Sequence, residues 1–253
     1  MMTLTVVQAL LIAIWVALVE SRILGYATLT LRFSPLMTGF VVGLVTGHVA
    51  EAMIVTATIQ LIYMGTVAPG GTLPAEPSIA AAIAVSVAII GNLKPEAAVA
   101  IAVPVGLLGS YLYQFRFFLN TFFTRQMDKF AREANDKGLI TSIMVIPAVI
   151  SFCLFVPMLF IALYYGAPAI SSVIKSLSNG PVLHILTVVG GGLAALGIAV
   201  IMHVIGKKSL LVYFFLAYFV SVALVSLKIN TVTYAIIGVA LAVLYTQFMK
   251  KED

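Results

Sequence analysis

From residue 138 to residue 250 the chain contains neither an aspartate nor a glutamate, and most of that stretch is made of runs such as "IPAVISFCLFVPMLF" (146–160). Runs this long and this apolar have too little polar surface to face water, so the solvent that suits them is a lipid bilayer. The rest of the chain is built alike: 62% of its 253 residues are hydrophobic and 9% are charged. A helical span takes about 20 apolar residues, and counting runs of that size gives roughly seven to nine spans or half-spans. The expected fold is therefore an all-α polytopic membrane protein. It is read as one membrane-embedded domain over 1–253, with a first half (1–115), a charged segment (116–138) and a second half (139–253). No room is left for a separate soluble catalytic domain.

The net charge is +5, but the basic residues do not form the patch that nucleic-acid binding needs. They read as topology signals. The densest cluster, "RFFLNTFFTRQMDKFAREANDKG" (116–138), contains Arg116, Arg125, Lys129, Arg132 and Lys137, which places that loop in the cytoplasm, with Lys250 and Lys251 pointing the same way. Within it Phe118, Phe122, Met127, Phe130 and Ala134 fall on one helical face opposite Arg125, Asp128, Lys129, Arg132 and Glu133. This predicts an amphipathic helix, lying in the interface or docking a soluble partner. The single cysteine, Cys153, excludes an internal disulfide and is expected to be a packing residue. The first twenty residues lack a basic leader region and a cleavage site, so residues 4–19 are expected to be a retained first span.

The segment "ESRILGYATLTLRFS" (20–34) reads as a polar connection in which Glu20 forms a surface ion pair with Arg22, with a functional site as the alternative. After Pro35, the glycines 39, 43 and 47 recur every four residues, a groove for a close helix contact within the chain or with a partner. Next come two apolar runs too short to span, 52–65 and 78–90, joined by "MGTVAPGGTLPAEPS" (64–78). Half-length helices around a Pro/Gly-rich polar turn are the pattern of a re-entrant hairpin. Pro95 and Glu96 open a span at 97–115. A kinked span carrying Pro147 and Pro157 is expected at 139–166, then a surface segment ending at residues 179–181. Further spans are expected at 182–205, 209–227 and 229–248, with a possible break at "GGG" (190–192).

A carboxylate at membrane depth is costly and normally lines a protein-enclosed cavity. Glu76 is the leading candidate, because it lies in the helix-breaking stretch where the backbone at Gly70, Gly71 and Thr72 is free to bind hydroxyl groups. A solvated turn outside the membrane is the alternative. Gln60 is read with equal weight as a ligand contact or a bond to another helix. Glu51 and Glu96 read as first-turn helix carboxylates, and His48, His184 and His203 are scattered singly. There is no phosphate-binding loop, no serine-histidine-acid set and no H-E-x-x-H motif. A stand-alone enzyme is disfavoured, and no metal or cofactor is expected.

The order of Pro35, Gly43 to Gly47, "ATIQLIYMGTVAPGGTLPAEPSIAA" (57–81), "AIAVPVGLL" (100–108), "DKFAREAND" (128–136) and "VVGGGLAALGIAVIM" (188–202) resembles the IIC subunits of the mannose/fructose/sorbose family of the bacterial phosphotransferase system. The resemblance implies a multi-pass inner-membrane subunit that conducts sugar together with a IID membrane subunit, in a higher oligomer. Cytoplasmic IIA and IIB proteins would phosphorylate the sugar as it enters, so this chain needs no phosphoryl-carrying residue. It also implies substrate contacts at Gln60, Gly70, Gly71, Thr72 and Glu76. The family usually has acidic residues at the places of both Gln60 and Glu76. Here the first is an amide, which donates as well as accepts, and together with "PGGTLPAEPS" this points to N-acetylgalactosamine, galactosamine or a related hexosamine. An ion-coupled sugar transporter using Glu76 or Glu20, and a non-transporting scaffold, are the competing classes.

Overall fold

The computed structural model describes residues 3–64, 75–176, 210–227, 229 and 231–249, with scattered positions between 185 and 203. The described residues are helical and contain no strand. They divide into two compact units, Met1–Val204 and Ile205–Asp253.

In the first unit, α1 (Val6–Glu20) starts at a reciprocal cap: the Gln8 N–H donates to Thr5 Oγ1 at 3.2 Å while the Thr5 N–H donates to Gln8 Oε1 at 2.9 Å. The segment expected to be a polar connection instead holds a second helix, α2 (Tyr26–Phe33). Pro35 lacks an N–H and drives Ser34 into extended backbone, so the chain turns by 80° before α3 (Pro35–Thr46) begins. Gly47 ends α3 with φ +78°, and α4 (Val49–Tyr63) folds back against α3. A side chain at Gly39 would overlap Thr56, and one at Gly43 would come within 2.8 Å of the Val49 backbone and 2.9 Å of Ala52. The glycine groove is thus an α3–α4 contact inside the chain, while Gly47 serves as the cap and meets nothing within 4 Å.

Helix α5 (Pro77–Gly91) has all fifteen of its residues buried. An all-round apolar helix needs partners on every side, and α3, α4 and the later helices over Pro95–Thr121 and Ala167–Ser176 pack around it. Its two serines are satisfied within the protein, Ser86 by donating to the Ala82 carbonyl at 2.7 Å and Ser78 by reaching Glu20. The 27-residue α6 (Pro95–Thr121) is long enough and apolar enough to cross a membrane. Helix α7 (Thr124–Arg132) follows, exposed and amphipathic. The predicted helix over 118–134 is therefore divided: Phe118 belongs to α6, and the chain turns at Phe122 and Phe123.

The next helical column runs unbroken over 136–176. It comprises α8 (Asp136–Ile140), a π segment (Thr141–Val145), α9 (Ile146–Ile161), a second π segment (Ala162–Gly166) and α10 (Ala167–Ser176). The wider π turns lie just before Pro147 and Pro168, where the missing proline N–H breaks the regular ladder. Residues 167–176 continue this column and pack on α5, correcting the expectation of a separate surface segment. Cys153 is exposed at the flank of α9, not packed in the core. Residues 190 and 191 of the "GGG" motif and His184 lie outside the described residues.

The second unit holds α11 (Leu211–Ala223) and α12 (Thr231–Met249), which touch through Tyr213 and Tyr245 with ring centroids 5.7 Å apart. Large apolar side chains face outward throughout, among them Leu108, Val149, Phe219 and Ile236. The first unit buries Glu20, Arg32, Glu76 and Arg116 while presenting hydrocarbon outward, as a bilayer solvent favours.

Candidate functional site: a buried ionic cluster

Three helix ends meet beneath the start of α5. Glu20 is the last residue of α1, Arg32 lies one residue before the end of α2, and Glu76 immediately precedes Pro77 of α5. Glu20 and Glu76 are 0% exposed and Arg32 is 3% exposed. The Arg32 Nε donates to Glu76 Oε2 at 3.0 Å and a terminal Arg32 nitrogen donates to Glu76 Oε1, a forked pairing of guanidinium and carboxylate. The same Nε lies 3.0 Å from Glu20 Oε2, an ion-pair contact off the hydrogen-bonding line. Ser78 Oγ donates to the other Glu20 oxygen at 2.6 Å.

Helix α6 closes the cluster. The Arg32 guanidinium carbon lies 3.5 Å from the Tyr113 ring centroid, and the buried Arg116 guanidinium carbon lies 4.4 Å from the same centroid. Arg116 donates to the Glu20 backbone carbonyl and, at 3.4 Å, to Ser151 Oγ. Two carboxylates and two guanidiniums give a formally neutral cluster. Neutrality matters because each isolated ion would lose several kcal/mol on leaving water, and the Tyr113 ring that both cations approach adds about 0.5–2 kcal/mol for each.

Small residues make the approach possible. The Glu76 N–H donates to the Gly106 carbonyl at 2.9 Å, a Cβ on Gly109 would press on Glu76 Cβ at 3.0 Å, and one on Gly106 would strike the Tyr63 hydroxyl. Tyr63 in turn donates to the Ala102 carbonyl at 3.1 Å, tying the end of α4 to α6.

Glu20 does not form the surface pair with Arg22 that the sequence suggests. It is buried on Arg32 and Ser78, whereas Arg22 is exposed and donates to the Tyr113 hydroxyl at 2.9 Å. Arg116 likewise leaves the cytoplasmic charge cluster for the interior. Sequence reasoning missed the burial of Arg32 and Arg116 because Arg32 lies in a segment of mixed polarity and Arg116 borders the charged loop; only their long-range partners show the burial. Gln60 is half-buried and accepts a hydrogen bond from the Leu36 N–H at 3.3 Å, which satisfies a free donor in the first turn of α3. Gly70, Gly71 and Thr72 lie outside the described residues. Glu51 and Glu96 occupy the first turns of α4 and α6, and His48 lies 3.4 Å from Glu51. Among the described residues no three His, Cys, Asp or Glu side chains are grouped to hold a metal.

The family described as "PTS system sorbose-specific iic component" matches residues 6–244. The chain is 27% identical over 223 residues to the fructose permease IIC component of Bacillus subtilis (strain 168), covering 87% of this chain and 80% of that protein. A solved membrane-protein structure superposes with a TM-score of 0.72 at 25% identity over 96% of both chains. A chain from the cryo-EM structure of the mannose transporter ManYZ in complex with microcin E492 superposes with a TM-score of 0.56 at 23% identity over 97% of both, a likeness of fold. The match along almost the full length establishes that the chain belongs to the sorbose-specific IIC component family of the phosphotransferase system.

Proposed function

We propose that this chain is the sugar-conducting subunit of a phosphoenolpyruvate-dependent phosphotransferase system in the bacterial inner membrane. It would act with a IID membrane subunit, within a higher oligomer, and with cytoplasmic IIA and IIB proteins that phosphorylate the incoming sugar. The observation that carries the reading is Glu76: a fully buried carboxylate that follows a Pro/Gly-rich stretch of sequence and immediately precedes the half-length α5. A carboxylate offers about four lone pairs. Arg32 engages one on each oxygen, leaving acceptors for sugar hydroxyls in a conformation that opens the cluster to ligand. Gln60, Gly70, Gly71 and Thr72 complete the proposed contacts. Binding there would orient the sugar so that its primary hydroxyl meets the phosphoryl donor.

The substrate we favour is a hexosamine of the galactosamine or N-acetylgalactosamine type. Gln60 Oε1 accepts from Leu36, and its amide protons remain as donors toward an acetamido carbonyl or ring hydroxyl, which a carboxylate at that place could not supply. The test is uptake of radiolabelled galactosamine, N-acetylgalactosamine, mannose and sorbose by cells carrying only this system. The expected result is accumulation of a hexosamine as its phosphate, dependent on phosphoenolpyruvate and indifferent to a protonophore. Protonophore-sensitive accumulation of free sugar would contradict the coupling, and preference for mannose or sorbose would contradict the specificity.

A further inference from the structure

An open groove of about 710 Å³ runs between the end of α1, the last turns of α6 and the α8–α9 column. Its wall is hydrocarbon, including Ile143, Met144, Val149 and Phe152, and one end carries Arg22, Arg116 and Asn120. Two of these polar groups are incompletely used. Arg116 is 4% exposed, yet its Nε has no hydrogen-bond partner, and neither has the buried Oδ1 of Asn120. Arg22 is exposed, holds φ +63°, and directs one terminal nitrogen to Tyr113. Among the described residues no carboxylate lies within 4.0 Å of either arginine.

We propose that this groove is a binding site for an anionic phospholipid, with its phosphate at the Arg22 and Arg116 end and an acyl chain along the α8–α9 wall. The chemistry is specific to an amphiphile. A free anion would use the arginines but not the hydrocarbon wall, and a neutral lipid would use the wall but leave Arg22 without a counter-ion and the buried Arg116 Nε without an acceptor. Basic pockets between membrane helices on the cytoplasmic side are suited to acidic headgroups. This groove adjoins the basic segment 124–137, which the charge rule places in the cytoplasm. The proposal does not depend on which sugar is carried.

The test uses the full chain with its membrane partner in nanodiscs of mixed phosphatidylglycerol and phosphatidylcholine, released for native mass spectrometry. Phosphatidylglycerol is expected to be retained about fivefold over its bulk proportion. Arg22→Gln should return retention to the bulk ratio, and Val149→Trp, a change on the exposed wall, should also reduce it. Arg116 is left intact because it also holds Glu20 and Ser151. The lone thiol of Cys153 lines the groove and gives a second readout: a neutral maleimide should alkylate Arg22→Gln several-fold faster than the unmodified chain in the same bilayer. Retention at the bulk ratio, or equal alkylation rates, would overturn the proposal. So would crosslinking of Cys153 to the partner subunit with protection that ignores lipid composition, which would make the groove a protein interface.

Discussion

Arg32 and Glu76, 44 residues apart in sequence, form a forked ion pair in the interior of the first unit, with Arg32 Nε donating to Glu76 Oε2 at 3.0 Å. The pair joins α2 to the start of α5 and brings Glu20 of α1 into the same cluster. A charge network here is not a source of great stability, because desolvation offsets most of the attraction. Its consequence is conditional: remove one member and the others are left uncompensated.

Loss of the central cation should therefore be worse than loss of one anion. Arg32→Ala leaves Glu20 and Glu76 facing each other with no guanidinium between them and is expected to destabilise the chain by about 3–5 kcal/mol. Glu76→Gln leaves Arg32 still beside Glu20 and keeps an acceptor oxygen, so it should cost less. Thermal unfolding of the purified membrane complex in detergent checks the order. Arg32→Lys is expected to restore little, since an ammonium cannot reproduce the fork.

The α4–α6 contact offers a paired test. Gly106→Ala places a methyl against the Tyr63 hydroxyl and is expected to cost about 1–3 kcal/mol. Tyr63→Phe removes the hydroxyl and its bond to the Ala102 carbonyl, at about 1 kcal/mol. The double variant should be more stable than the sum of the two losses implies, because the second change relieves the first. Strict additivity in the melting data would show that the helices do not meet as described.

Topology is checked by labelling. Helix α6 separates Lys94, its N-cap, from the basic helix α7, and its 27 residues measure about 40 Å against a hydrocarbon core of about 30 Å. In a Cys153→Ser background, Lys129→Cys should react with an impermeant maleimide only from the cytoplasm and Lys94→Cys only from the opposite side. Reaction of both from one side would remove α6 as a span.

Much of this architecture is legible in the residues. The prolines at 35, 77 and 95 and the apolar runs themselves mark where helices start, because they act within a turn or two of sequence. The half-length α4 and α5 around the Pro/Gly-rich stretch are visible for the same reason. The ionic cluster is not. Arg32 follows "ATLTL" in a segment of mixed polarity, and Arg116 stands beside Phe117 and Phe118 near a charged loop. Their burial is fixed by Glu76, Glu20 and Tyr113, contacts that a local pattern does not encode. Helix α2 is short and partly polar, so its period is too brief to distinguish from a connection.

The most direct test of the account is phosphoenolpyruvate-dependent uptake by the Glu76→Gln chain, using whichever sugar the unmodified system accumulates and monitoring recovery of the partner subunit alongside. With subunit recovery unchanged, uptake is expected to fall about 10- to 100-fold, the loss that follows when a charged hydrogen-bond acceptor for the substrate is neutralised. Uptake at the unmodified rate in that assembled complex would show that the buried carboxylate only holds helices together and that the sugar passes elsewhere.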